Sequence, residues 1–191
     1  MAKKILLLLL ILILSPFLGG YGILHNQVTY TISPEYFTKF KFYQFDLEIF
    51  ILGDQRVGAM LVGILATWWV GLIIGLILGA LSLLFNARLM FGHWLKALMI
   101  TVGAAIVVPV LALGTWLIIQ RLSPSPAETV YLPAFVPEGI TVDDTMAFTA
   151  VGIIHNFSYL GGLTGLIAGC WYMVSKYRKY KTVQNQLYAE K

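Results

Sequence analysis

Cysteine and charge are both scarce in this sequence, and each shortage excludes a class of protein. The single cysteine, Cys170, cannot form a disulfide within the chain, and one cysteine with three histidines makes no zinc framework. Charged residues account for 12% of the 191 residues and apolar residues for 59%, whereas soluble domains have roughly 25% and 45–50%. The composition therefore predicts an integral membrane protein that is surrounded by the lipid bilayer.

Catalytic motifs are also absent from the sequence. It contains no G-x-S-x-G, no H-E-x-x-H, no phosphate-binding loop and no dinucleotide-binding fingerprint. The few lysines give no support for a nucleic-acid partner. An enzyme therefore ranks below a non-catalytic protein, and no nucleic acid is expected as a partner.

Four long apolar segments, at residues 5–24, 57–85, 97–119 and 146–175, carry no charged residue apart from those at their edges. Each reaches or exceeds the about 20 residues that cross a hydrocarbon core as a helix. The sequence predicts an all-α membrane protein, a single domain over residues 1–191 built as a four-transmembrane-helix bundle. Two sizeable loops, about residues 25–56 and 120–145, would lie on one side, with a tight turn on the other.

The basic residues predict the orientation of this bundle, because lysine and arginine in short flanking segments resist translocation. With the N terminus inside, nine of the thirteen basic residues fall on the inner side, and the outer side receives Lys39, Lys41, Arg56 and Arg121. Both termini are therefore expected in the cytoplasm, with the chain in the inner (plasma) membrane. Residues 2–20 also resemble a secretory signal with cleavage after Gly22, but the apolar run continues to Leu24, which favours an uncleaved anchor.

The first loop has the alternation of a strand. Val28, Tyr30 and Ile32 alternate with hydroxyl residues, and the stretch TKFKF alternates again after Pro34. This pattern predicts a small β-hairpin-like cap in the extracytoplasmic loop between the first two spans.

Glycines at four-residue spacing predict where the helices pack. The second span carries Gly71, Gly75 and Gly79, and the fourth carries Gly161, Gly165 and Gly169. Such stripes let helix backbones approach closely in a bilayer. We expect the two stripes to contact each other within one chain, with contact across a homo-oligomer as the alternative.

Two similar strings point to a candidate site. GILHN, residues 22–26, closes the first span, and GIIHN, residues 152–156, lies in the fourth. An ionisable side chain within a span is a functional hypothesis because it needs a partner or a wet cavity. The candidate polar or metal site consists of His25, Gln27, Glu35, Tyr36, His155, Asn156 and Tyr159. No cofactor is required, although His25, Glu35 and His155 could hold a divalent transition metal. A proton-responsive pair and a structural hydrogen bond between helices are the alternatives.

The segments HNQVTYTISPEYFTKFKF and HNFSYLGGLTGLIAG resemble a family of uncharacterised bacterial four-span integral membrane proteins, in which a His-x-Gln segment leads to a Glu-Tyr-Phe segment. The match falls on His25, Gln27, Glu35, Tyr36 and Phe37, and further along on His155, Asn156 and Tyr159. Many members carry aspartate where this chain has Asn26, which removes one metal ligand. The resemblance implies four spans and no particular activity. The element order is also similar to that of claudin-type proteins, but their tryptophan and paired-cysteine signature is missing.

Together these observations predict an accessory, assembly or interaction component of the membrane, with a membrane protein or a second copy as its partner. The alternative is a small transporter or sensor whose His/Glu site faces outward and takes a metal or a proton.

Overall fold

The computed structural model describes residues 2–122 and 139–189 of the chain. It contains four helices long and apolar enough to cross a membrane, which confirms the four predicted spans. The first span runs over Ala2–Ile32, the second over Gln55–Ser82, the third over Ala87–Leu122, and the fourth lies in the helix Thr145–Ala189. Most of the predicted second loop, residues 120–145, lies outside the described residues.

The first span is longer than its apolar segment. It consists of the α-helix Ala2–Leu14, a 3₁₀ turn over Ser15–Leu18 and the α-helix Gly19–Ile32. Pro16 lies in the first turn of the 3₁₀ segment, where its missing N–H tightens the helix locally without ending it. The polar residues after Leu24 remain helical, and Thr29 and Thr31 direct their hydroxyl protons to carbonyls one turn earlier.

The predicted β-hairpin is wrong, since residues 28–32 belong to the first span and the segment after Ser33 is also helical. This segment, residues 33–54, is called the cap; it contains Pro34–Tyr36 (α), Phe37–Lys41 (π), Phe42–Gln44 (α) and Glu48–Ile51 (3₁₀). In the last part of the first span, residues 24–32, the buried residues are Asn26 and Thr29, at helical spacing. The apolar Val28 and Ile32 are exposed. Alternating hydrophobicity misled the prediction because polar side chains face the bundle here.

The cap is held by its own turn chemistry and by aromatic packing. Ser33 has an extended backbone, and its side chain accepts a hydrogen bond from the Tyr36 amide at 3.3 Å, with Pro34 at the first helical position. The second span then begins at Gln55, capped by Asp54, whose carboxylate accepts hydrogen bonds from the amides of Arg56 at 3.1 Å and Val57 at 3.2 Å. Tyr36, Phe37 and Phe42 are buried against the second and fourth spans.

Both glycine stripes lie at helix contacts, but they do not face each other. A side chain at Gly75 would overlap Ser15 of the first span, and one at Gly79 would approach Leu8 of the same span at 3.1 Å. Gly71 is buried and lines a cavity that is described below. In the fourth span, Gly161, Gly165 and Gly169 lie against Ala104, Thr101 and Ala97 of the third. The predicted contact between the stripes is thus replaced by two separate pairs, first span with second and third with fourth.

The bundle has two different ends. At the cap end, aromatic residues of the cap pack on the second and fourth spans. At the opposite end, the turn end, residues 83–86 join the second and third spans, and a second apolar cluster includes Phe85, Met90 and Met173. Between these two clusters the four helices are less tightly filled, and this position contains the candidate site.

Candidate binding site beneath the cap

Two histidines from different spans meet beneath the cap. The rings of His25 and His155 lie 4.7 Å apart between centroids and nearly perpendicular, at 84°. The His155 side chain is buried, with 6% exposure, and His25 is partly buried. The structure therefore brings together the two histidines of the GILHN and GIIHN strings.

Thr29 fixes the orientation of the buried imidazole. The Nε2 atom of His155 lies 3.3 Å from the hydroxyl oxygen of Thr29. That hydroxyl donates its proton to the carbonyl of His25, one helical turn earlier, at 3.0 Å. A hydroxyl has one proton to donate, so the network assigns the donated N–H to Nε2 of His155.

Aromatic rings enclose His155 from the cap side. Tyr36 stacks on the imidazole with centroids 5.0 Å apart at 29°, and Phe37 approaches it edge-on at 6.1 Å. Tyr21, one turn before His25, donates to the carbonyl of Ala105 at 3.1 Å and lies 3.5 Å from Nδ1 of His25. The pair is thus held between the first, third and fourth spans and the cap.

Glu35 is engaged elsewhere. Its carboxylate pairs with Lys39 and accepts hydrogen bonds from the amides of Asp143 at 3.1 Å and Asp144 at 2.8 Å. Burial opposes ionisation, but the Lys39 ammonium and these two amides outweigh it and lower the pKa of Glu35 to about 2. Burial would lower the pKa of Lys39, but the carboxylates of Glu35 and Asp143 outweigh burial and raise this pKa. This cluster latches the cap to the start of the fourth span.

The other predicted site residues lie in different places. Gln27 donates to the carbonyl of Arg56 at 3.0 Å and accepts from its guanidinium at 3.3 Å, away from the histidines. Asn156 is exposed, whereas Tyr159 is partly exposed and lines the cavity. Within residues 2–122 and 139–189, no group of three His, Cys, Asp or Glu side chains could hold a metal ion. The proposed ligand set of His25, Glu35 and His155 is therefore not assembled, because Glu35 is bound by Lys39 and two backbone amides.

A cavity of about 310 Å³ opens from the histidine pair into the bundle. Its polar end is formed by Tyr21, His25, Asn26, Lys41, His155 and Tyr159. The remaining lining comes from all four spans and is mostly apolar, with Val62, Val70, Ile74, Val102 and Leu166 among its residues. This volume is at the lower limit of typical small-molecule pockets, about 300–1,000 Å³.

Lys41 is a member of this site that the sequence reasoning missed. Its residue is only 9% exposed, and its ammonium donates to Gln44 at 2.8 Å and lies 4.4 Å from the centre of the Phe40 ring. Burial lowers the pKa of Lys41 to about 8. The alternation in TKFKF placed Lys39 and Lys41 on the same outward side. The π-helical turn instead directs Lys41 inward, and no feature of the sequence separates these two lysines.

Comparisons with protein-family models, with curated proteins and with solved structures gave no match. The resemblance carried by the His-x-Gln and Glu-Tyr-Phe segments therefore stays a prediction.

Proposed function

We propose that this chain is a non-catalytic accessory protein of the inner membrane that binds a small, largely apolar molecule in the cavity beneath its cap. The cavity is the observation that carries the proposal, because all four spans line it and its lining is mostly apolar, with His25, Lys41 and His155 beneath the cap. Ligand sites in helical bundles are built in this way, from apolar walls and a few placed polar groups. A partner membrane protein or a second copy would receive or deliver the molecule.

Glycine substitutions test this function. Gly162 lines the cavity, and a Cβ atom placed at this position meets nothing within 4 Å. Gly162→Leu should therefore fill the cavity without straining the backbone, whereas Gly103→Leu, equally open but outside the cavity lining, is the matched control. Protein purified from membranes in mild detergent and analysed by native mass spectrometry should carry a bound molecule in the parent and in Gly103→Leu, and should lose it in Gly162→Leu. A bound molecule retained equally by all three proteins would contradict the proposal.

The proposed orientation places the cap outside and both termini in the cytoplasm. The distribution of basic residues supports it, since nine of thirteen lie on the side of the termini. In a Cys170→Ala background, an impermeant maleimide added to whole cells should label Glu48→Cys in the exposed part of the cap. It should label Lys181→Cys only after lysis. The reverse pattern would invert the topology.

A proton-responsive sensor is the second candidate, and the contact between His25 and His155 favours it. Two imidazolium rings 4.7 Å apart would repel each other, so protonation would push the first span from the fourth. If this is the function, distances between spin labels on these two spans should increase as the pH falls from 7.5 to 4, and His155→Gln should abolish the change. A binding protein of the first kind should show constant distances.

A further inference from the structure

The ammonium group of Lys41 has no carboxylate partner among the described residues, although it lies at the cavity. Its contacts are the neutral side chain of Gln44 and the faces of the Phe40 and Tyr36 rings. The one partly buried acid of the cap, Glu35, is already paired with Lys39. A charge held out of water is costly unless an opposite charge or several hydrogen bonds compensate it. The protein itself supplies only part of that compensation.

The groups around Lys41 suit a small anion better than a neutral group. His25 lines the same end of the cavity, and its imidazole can donate one N–H hydrogen bond to a ligand, whereas the protons of Tyr21 and His155 are directed to the Ala105 carbonyl and to Thr29. No acid lines the cavity among the described residues, so nothing there would repel an anion. A carboxylate or a phosphate oxygen accepts from an ammonium more strongly than a neutral acceptor does.

The cavity extends along the fourth span. Its lining residues there run from His155 to Leu166, about 16 Å along a helix axis. Its volume of about 310 Å³ is at the lower limit of small-molecule pockets, so the cavity suits one chain of methylene groups rather than a bulkier ligand.

From the charge of Lys41 at one end of the cavity and the apolar lining beyond it, we propose that the ligand is a single-chain amphiphile with one anionic headgroup. The headgroup, a carboxylate or a phosphate monoester, is bound by Lys41, and the chain is directed toward Leu166. This inference rests on the proposed binding function and specifies its ligand class. Burial of its methylene groups lets the chain supply affinity, while the headgroup supplies orientation and selectivity. Burial also lowers the pKa of Lys41 to about 8, which leaves the side chain mostly charged at neutral pH.

The test uses three probes that share one chain and differ at the headgroup: oleate, oleyl phosphate and oleyl alcohol. The full chain is placed in phosphatidylcholine nanodiscs, and the fraction carrying each probe is measured by native mass spectrometry at equal mole fraction in the lipid. We expect one oleate or one oleyl phosphate per chain, with oleyl alcohol at least about tenfold weaker, because a hydrogen bond to a charged group is worth about one tenfold step or more. Stronger binding of oleate than oleyl phosphate, or the reverse, identifies the headgroup.

Lysine variants then assign the selectivity. Lys41→Met should lower oleate binding about tenfold, to the level of oleyl alcohol, and leave oleyl alcohol unchanged. Lys41→Arg keeps the charge and should keep the preference for anions, which separates loss of charge from loss of folding. Lys96→Met, an exposed lysine of the third span outside the cavity, is the control for general attraction of anions.

The failures of the two proposals are distinguishable. If oleyl alcohol binds as well as oleate, or if Lys41→Met keeps the preference for oleate, the anionic ligand class is overturned while the cavity function stands. If none of the three probes binds, or if all three bind Gly162→Leu as well as the parent, the cavity is not a site for a chain. The single-chain ligand class is then overturned, while the cavity function stands or falls with the molecule that co-purifies with the parent and with Gly103→Leu but not with Gly162→Leu.

Discussion

The carboxylate of Glu35 accepts a hydrogen bond from the backbone amide of Asp144 at 2.8 Å. This bond joins the cap to the residue that precedes the fourth span. The two residues are 109 positions apart in sequence. Asp144 in turn caps that helix, since its carboxylate accepts from the Ala147 amide at 2.9 Å. One acidic side chain thus holds the cap and the start of the fourth span together.

Removing the charge of Glu35 should loosen this latch. Glu35→Gln keeps the shape of the side chain but loses the Lys39 ion pair and weakens the two amide hydrogen bonds. We expect the free energy of unfolding in detergent to fall by about 1–2 kcal/mol. Glu48→Gln, at an exposed carboxylate in the same cap, should leave it unchanged. Equal losses in the two variants would show that the latch contributes nothing.

Low pH should weaken the contacts of Glu35 with Lys39 and with the two backbone amides. The folded-state pKa of Glu35 is about 2, below its ordinary value of 4.5. The stabilisation is therefore fully present above about pH 4.5 and is lost as the pH falls toward 2. The melting temperature of the parent should fall more steeply than that of Glu35→Gln between pH 5 and pH 3. Parallel curves would contradict the assigned pairing.

Alanine substitutions at Gly20 and Gly22 of the first span should have very different effects on the free energy of unfolding. A methyl group at Gly22 would overlap the backbone of Gly63 in the second span, whereas one at Gly20 would meet nothing within 4 Å. Gly22→Ala should therefore destabilise the bundle by about 1–3 kcal/mol, as overpacking does, and Gly20→Ala should be neutral. Unfolding titrations of the two variants in the same detergent measure this difference. A neutral Gly22→Ala would mean that the first two spans do not pack as described.

Single and double substitutions at His155 and Thr29 should reveal their hydrogen bond in the free energy of unfolding. His155→Leu leaves the Thr29 oxygen buried without its donor, which should cost about 1–3 kcal/mol. His155→Gln, which retains an N–H, should cost less. In the double variant Thr29→Val/His155→Leu both partners are apolar, so the total loss should be smaller than the sum of the single losses. Strict additivity would argue against the hydrogen bond.

The spans were predictable from the sequence, but the cap and the helix pairing were not. Length and hydropathy determine a membrane helix almost by themselves, so all four segments were found. The strand prediction failed at Val28 and Ile32 because these apolar residues point outward while Asn26 and Thr29 face the bundle. Inside a membrane protein, apolar side chains do not mark the buried face.

The site was partly predictable for a similar reason. A histidine in an apolar segment is conspicuous, and the similar strings GILHN and GIIHN pointed to His25 and His155. The inward position of Lys41 depends on the π-helical turn Phe37–Lys41, and Glu35 is bound by the amides of Asp143 and Asp144, 108 and 109 positions further along the chain. A π-helical turn changes which side chains share a face of the helix, and no residue in this segment predicts such a turn from the sequence.

The helix Thr145–Ala189 is long enough to act as a rigid post. Its 45 residues span about 67 Å, while a bilayer with its headgroups is about 40–45 Å thick. Since the apolar segment ends at residue 175, the last fourteen residues extend about 20 Å further without a break. Lys176, Arg178, Lys179 and Lys181 therefore project into water at increasing heights above the lipid surface. A rotation of the post at this level would turn His155 with it.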